Sequence, residues 1–218
     1  MKSRTYTLGG SMPKVVDHDA RRQELAEATW RLIRREGLEA VSVRKVAREA
    51  GVSPGSLRHY FTSQSELLAY ALRMVGERIE QRIRSLEPGQ TLEDHVQALI
   101  EQVLPLDEER ATEAVIWLAF VGKALVDPEL AKLATETHNA LYHLFHQLIK
   151  AMVRHGALPR ETDVELEARR LHALVDGLAL HGVASEEPLS PQMIRQIVAH
   201  HLEQLAAKAG AVPGRGEA

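Results

Sequence analysis

Residues 42–61 read SVRKVAREAGVSPGSLRHYF, and the punctuation of this stretch decides the fold. After Ser42, the residues Val43, Val46, Ala47 and Ala50 recur at helical spacing, which predicts a helix of about two turns closing at Gly51. Ser53-Pro54 opens a second helix over 54–60: the serine hydroxyl can cap free backbone N–H groups, and proline at the first helical position forfeits no hydrogen bond. Two short helices joined through a glycine are the physical content of a helix-turn-helix. Ala47 supplies the small residue that faces the partner helix, Gly51 allows the sharp bend, and Val46, Val52 and Leu57 form the shared core. What remains outward on the second helix is Ser56, Arg58 and His59, with Tyr60 close by. That set can donate hydrogen bonds to phosphates and base edges.

Upstream, Asp17 and Asp19 are capping candidates for a helix over 19–36, whose Leu25, Ala28, Leu32 and Ile33 share one face and which Gly37 stops. Residues 1–16 have no usable periodicity; Gly9-Gly10-Ser11 before Met12 reads as a flexible arm or as a non-native leader with the natural start at Met12. Downstream, Ser63 with Glu66 predicts a capping box and a longer helix through Leu67, Leu68, Ala71, Met74, Val75, Ile79 and Ile83. Further helices are expected from Thr91 to about Leu104, from Glu108 through the block Val115 to Leu125, over 128–155, from Asp163 to about Val183, and from Ser190-Pro191 onward. A frayed tail follows over 210–218. With no alternating strand pattern, the fold class is all-α, about nine helices: a helix-turn-helix head over 17–62 and a helical body over 63–209.

Composition narrows the function classes. The 218 residues are 44 % hydrophobic, enough for a substantial core, and contain no cysteine, which removes disulfides, thiolate nucleophiles and Cys-type zinc sites together. Neither a membrane-length apolar run nor a secretory leader is visible, so a cytoplasmic location with no membrane partner is expected. The net charge of −3 hides a division: residues 1–61 carry 12 Lys/Arg against 7 Asp/Glu, whereas residues 62–218 carry 15 against 23. A basic head suits a polyanion, because phosphate contacts release condensed counterions, and the acidic remainder would be repelled from a duplex.

The stretch 42–61 resembles the N-terminal signature of the TetR family over nearly its whole length, and the likeness continues through Phe61-Thr62-Ser63-Gln64-Ser65-Glu66-Leu67-Leu68, which is similar to the start of that family's fourth helix. Leu57-Arg58-His59-Tyr60-Phe61 and the segment Leu171 to Leu180 around Asp176-Gly177-Leu178 resemble the choline-responsive, BetI-type branch. The resemblance implies a transcriptional repressor that binds double-stranded DNA at a palindromic operator as a homodimer and is released by a small-molecule effector. On this reading Ser42, Arg44, Ser53, Ser56, Tyr60 and Thr62 hold phosphates, Arg58 and His59 reach bases, and the start of the second short helix adds its free N–H groups. Gln64 departs from the family, standing where many relatives have a phosphate-binding lysine.

The effector pocket is expected among the helices of 66–180, walled by Trp117, Phe120, His138, Tyr142, Phe145 and His146. Dimerisation is expected through the last two helices, along Leu171, Leu174, Val175 and Leu178 on one and Ile194, Ile197, Val198 and Leu205 on the other; the alternative is that both stripes bury into the chain's own core. The pairs His143/His146 and His200/His201 show no third convergent ligand, so neither a metal site nor any cofactor is expected. The alternatives are an all-α enzyme, for which no nucleophile elbow, phosphate loop or metal-spaced motif is present, and a helical adaptor, which would have no need of Arg58-His59-Tyr60.

Overall fold

The computed structural model describes residues 18–37 and 40–210, and among these it contains nine α-helices and no strand. They are α1 (His18–Glu36), α2 (Val43–Glu49), α3 (Pro54–Arg58), α4 (Gln64–Arg84), α5 (Leu92–Ile100), α6 (Glu108–Ala124), α7 (Pro128–Arg154), α8 (Val164–Val183) and α9 (Pro191–Gly210). The expected arm, the Asp17 cap and the tail beyond Gly210 lie outside the described residues. Ser42, Ser53, Ser63, Thr91, Asp107, Asp127 and Asp163 each accept a first-turn backbone N–H, so seven helix starts are fixed by residue types that the sequence displays openly.

Two helix ends and one cap differ from the expectation. Helix α3 stops at Arg58; the N–H groups of Tyr60 and Phe61 both donate to the Leu57 carbonyl, at 2.9 and 3.0 Å, and this turn drops Phe61 into the core. Helix α5 ends at Ile100 and tightens into a 3-10 turn over Glu101–Val103, because Pro105 disfavours helical geometry at Leu104, whose backbone is extended (φ −112°, ψ 148°). The capping box at α4 is half made. Ser63 Oγ accepts the Glu66 N–H at 3.0 Å, but the Glu66 carboxylate takes the N–H of Thr62 rather than that of Ser63.

Two apolar clusters organise the chain. The first joins Leu25, Ile33, Val46, Leu57 and Phe61 of the head to Leu68 and Leu72 of α4, and also to Ile116 and Phe120 of α6 and Leu130 of α7. The head therefore shares its core with the body. The second cluster joins α5, the C-terminal half of α7, α8 and α9. It consumes the two stripes expected to pair subunits: Leu171, Val175, Leu178, Ile194, Val198 and Leu205 are buried within the chain itself, and Leu174 and Ile197 are half-buried against the same cluster. The physical reason is that α8 and α9 are the outer wall of that core, and their most apolar faces close it first. No helix among the described residues is long and apolar enough to cross a membrane.

Candidate DNA-binding surface and ligand cavity

Helices α2 and α3 pack across Gly51, whose φ of 67° is the left-handed bend that the turn requires. Val46, Ala47 and Leu57 are fully buried beneath it, fixing the relative placement of the polar residues outside. On that outer surface Arg44, Arg48 and Arg58 are exposed, and no carboxylate among the described residues pairs with any of them. The other cations of this region are occupied. Lys45 donates to Glu36 at 2.8 Å, while Arg31 and Arg35 hold Glu49 at 3.3 and 2.9 Å. Hydrogen bonds from Lys45 and Arg35 keep the Glu36 and Glu49 carboxyls below the usual range. Acidic charge at the α1–α2 junction is thus neutralised locally, which leaves an arginine-rich surface with unopposed charge.

The remaining sequence-predicted residues divide. Ser42 and Ser53 are exposed and act as caps, accepting the N–H groups of Lys45 (3.3 Å) and Ser56 (3.0 Å); each hydroxyl proton stays available for an anion. His59 is exposed at the end of α3, and Tyr60 is half-buried with its ring 5.4 Å from that of His18. Thr62 is committed elsewhere: its N–H and its hydroxyl both donate to one Glu66 oxygen, at 2.8 and 2.9 Å. Gln64 donates to the Val41 carbonyl at 2.7 Å, so in place of a phosphate contact it fastens the head to α4. Helix α3 has five residues and its Ser56 N–H is already capped, so its start has little dipole left to offer an anion. Arg48 was not among the candidates; its position four residues after Arg44, on the same helical face, was the available signal.

Behind the head, α4, α6 and α7 line a cavity of about 560 Å³ that is partly open to solvent. Leu72, Val75, Ile79 and Ile83 of α4, Trp117 of α6, and Leu141 and Leu144 of α7 give it an apolar wall, with Arg73, Glu77, Glu80 and Arg110 among the polar lining residues. Glu113, only 4 % exposed, also lines it and is neutralised by Arg82 through two bonds of 2.8 and 2.6 Å; Arg82 further donates to the Gln102 carbonyl at 3.0 Å.

Of the six residues expected to wall a pocket, Trp117 lines this cavity. Phe120 and Phe145 are buried in the first and second cores. Helix α7 turns Thr137, Ala140, Leu141 and Leu144 toward the cavity, which places His138, Tyr142 and His146 on its other faces. There Tyr142 carries the Arg169 guanidinium 4.9 Å from its ring centroid and has the His146 ring 6.0 Å away. The cavity wall on α4 was legible as a helical stripe but is indistinguishable in sequence from ordinary core.

His138 meets α8. Its ring centroid lies 4.4 Å from that of His172, and Asp176 Oδ2 is 3.7 Å from His172 Nε2, so that one ligating atom from each of the three lies within 4.8 Å of the others. Burial pushes the His172 imidazole below its usual pKa and the Asp176 carboxyl above its own.

Comparison with known proteins agrees with this architecture. Residues 25–71 match the family model "Bacterial regulatory proteins, tetR family", and residues 92–207 match "BetI-type transcriptional repressor, C-terminal". The HTH-type transcriptional regulator PksA of Bacillus subtilis (strain 168) is 37 % identical over 199 residues, which are 90 % of this chain and 95 % of that protein. The BetI regulator of Proteus mirabilis (strain HI4320) is 30 % identical over 197 residues, 88 % and 94 % of the two chains. Among solved structures, a transcriptional regulator from Rhodococcus sp. Rha1 shares 31 % identity with a TM-score of 0.76, covering 88 % of this chain and 99 % of its own. A transcriptional regulator from Saccharomonospora viridis in complex with choline shares 25 % identity with a TM-score of 0.76, covering 85 % and 96 %. These similarities are to regulators rather than enzymes, and the chain belongs to the TetR family of DNA-binding transcriptional regulators, with a BetI-type C-terminal region.

Proposed function

We propose that the protein is a cytoplasmic repressor that grips a palindromic operator as a dimer and releases it when an apolar small molecule fills the cavity. The observation that carries the DNA half of this reading is the trio Arg44, Arg48 and Arg58, exposed and without ion-pair partners among the described residues, in a region where Arg31, Arg35 and Lys45 are all paired. Arg44 and Arg48, one helical turn apart on α2, suit phosphates; Arg58 and His59 at the end of α3 suit base edges. Ser42, Ser53, Ser56 and Tyr60 are the neutral phosphate contacts, and Thr62, with both donors given to Glu66, acts through α4.

The cavity supports an effector with a long apolar body. Its volume lies within the range of drug-sized ligand sites, and Trp117 is the single aromatic ring in its lining, whereas a small quaternary ammonium ion such as choline is best held by several rings. Helix α4 is the lever: its middle walls the cavity, while its first turn holds the head through Gln64 to Val41 and Glu66 to Thr62, and Ser65 donates to Asp127 at 2.8 Å. An effector that favours a displaced α4 weakens operator binding by its differential affinity for the two states, typically about 1–3 kcal/mol.

The dimer is carried by the outward face of α8 and α9. Leu166, Leu180 and Met193 are exposed there, and Ala173 and Gly177 lie on the same stripe of α8 as Leu166 and Leu180, small enough to let a second copy approach.

The test is salt-dependent capture of fragments of the source genome, with the retained pieces sequenced. One palindromic site should emerge. Arg58→Ala should cost about 1–3 kcal/mol and relax sequence preference, whereas Arg48→Ala should weaken all fragments alike and lower the salt slope by about 1. Retention that is non-specific and indifferent to both variants would overturn the assignment.

A further inference from the structure

We propose that His138, Nε2 of His172 and the carboxylate of Asp176 form a binding site for a divalent transition-metal ion of the zinc class, bridging α7 to α8. The site is separate from the cavity lining and from the DNA-binding surface, so it stands or falls independently of the reading above.

Three observations converge on it. First, His172 is 96 % buried in the packing of α7 on α8, yet its Nε2 atom is fully shielded and makes no hydrogen bond. A buried imidazole nitrogen without a partner is costly, and such groups call for an explanation. Second, the nearest acceptor, Asp176 Oδ2, stands 3.7 Å away. That is too long for a hydrogen bond, but close to the separation of about 3.3–3.5 Å between two ligands of a tetrahedral ion with bonds of 2.0–2.2 Å. Third, His138 reaches the same point from the neighbouring helix, with all three ligating atoms within 4.8 Å of one another. His138 is exposed, so its ring has room to turn a nitrogen toward the gap.

The donor set selects the ion. Two imidazoles and one carboxylate suit Zn²⁺, with Co²⁺ and Ni²⁺ as chemical analogues; Mg²⁺ and Ca²⁺ prefer all-oxygen shells, and the cysteine-free chain offers no thiolate to a softer ion. His172 and Asp176 are spaced i,i+4 on α8, one turn apart on the same face, and Phe145 packs edge-on to the His172 ring at 5.5 Å, holding it in place. Three protein ligands leave a fourth position for water or an exchangeable anion.

The experiment uses the full-length, tag-free protein stripped with EDTA. Titration with Co²⁺ should produce the visible absorption of a low-symmetry N/O site saturating at one ion per chain, and Zn²⁺ should displace it. Affinity should fall in His138→Gln and in Asp176→Asn by at least the roughly tenfold that even an outer-shell partner is worth, while His143→Gln and His146→Gln bind as wild type does. Zn²⁺ should also raise the wild-type melting temperature and leave that of His138→Gln unmoved. Because His138 is exposed, its variant keeps the fold and the comparison stays valid even if His172→Gln does not. Absence of a saturable equivalent overturns the proposal, as does one whose affinity is the same in His138→Gln and Asp176→Asn, since the ion would then sit on other histidines.

Discussion

A single carboxylate shows how closely the head is tied to the body. Glu66 accepts the N–H and hydroxyl of Thr62 and lies 3.3 Å from Arg22, whose guanidinium sits over the rings of Phe61 and Tyr70 at 4.7 and 4.8 Å. The Thr62 backbone N–H is the leading cause that holds the Glu66 carboxyl below the ordinary 4.5. Because the folded-state value is the lower one, its contribution to stability is fully present above pH 4.5 and disappears as pH falls through the folded value. Glu66→Gln should therefore be less stable than wild type near neutrality, by about 1 kcal/mol, and the two should converge in acid. Urea melts at pH 7 and at successively lower pH check this; parallel curves at all pH values would contradict it. Residues of this kind also mark where sequence reading reaches its limit. Ser63 and Glu66 were visible as a cap, but that the carboxylate would choose Thr62 depends on the path of the chain after α3, which no local pattern encodes.

Among the elements, the caps and glycines were legible because their chemistry is local: Ser53-Pro54 starts a helix wherever it occurs, and Gly51 permits a backbone bend that few other residues tolerate. Pro105 was an equally local signal for the end of α5, but the roles of the faces of α7 were not legible, because they depend on the cavity, which only packing creates. The approach of α8 to the loop before α6 is one such case. A Cβ added at Gly182 would lie 2.5 Å from Cγ of Pro105 and 3.2 Å from Cδ1 of Ile194, and a proline ring has little room to yield. Gly182→Ala should overpack this junction by about 1–3 kcal/mol, offset by the roughly 1 kcal/mol that alanine gains in a helix. Gly122→Ala on α6, where a Cβ meets nothing within 4 Å, should show the gain alone. Thermal unfolding of the two variants should shift in opposite directions, and a stabilised Gly182→Ala would mean that the junction has room to spare.

For the whole molecule, the proposed dimer rests on where apolar surface is left over. Five large hydrophobic side chains are exposed among the described residues: Leu125 and Val126 between α6 and α7, and Leu166, Leu180 and Met193 on α8 and α9. Leu180→Glu should give a monomer in sedimentation and a large loss of operator affinity, since a palindrome is then read one half-site at a time. Leu125→Glu, at a more exposed position away from that face, should stay dimeric; a dimeric Leu180→Glu would place the interface elsewhere. The two stripes that the sequence offered for pairing are the inner faces of α8 and α9, because a stripe of leucines announces burial without naming what buries it. The first apolar cluster has a wider implication, since Leu57 under the proposed DNA-binding surface and Phe120 of α6 belong to one continuous core. Head and body are therefore not interchangeable parts: a splice at residue 62 would set Leu57 and Phe61 against a surface shaped for another chain, so an exchanged sensor would have to bring compensating changes beneath α3.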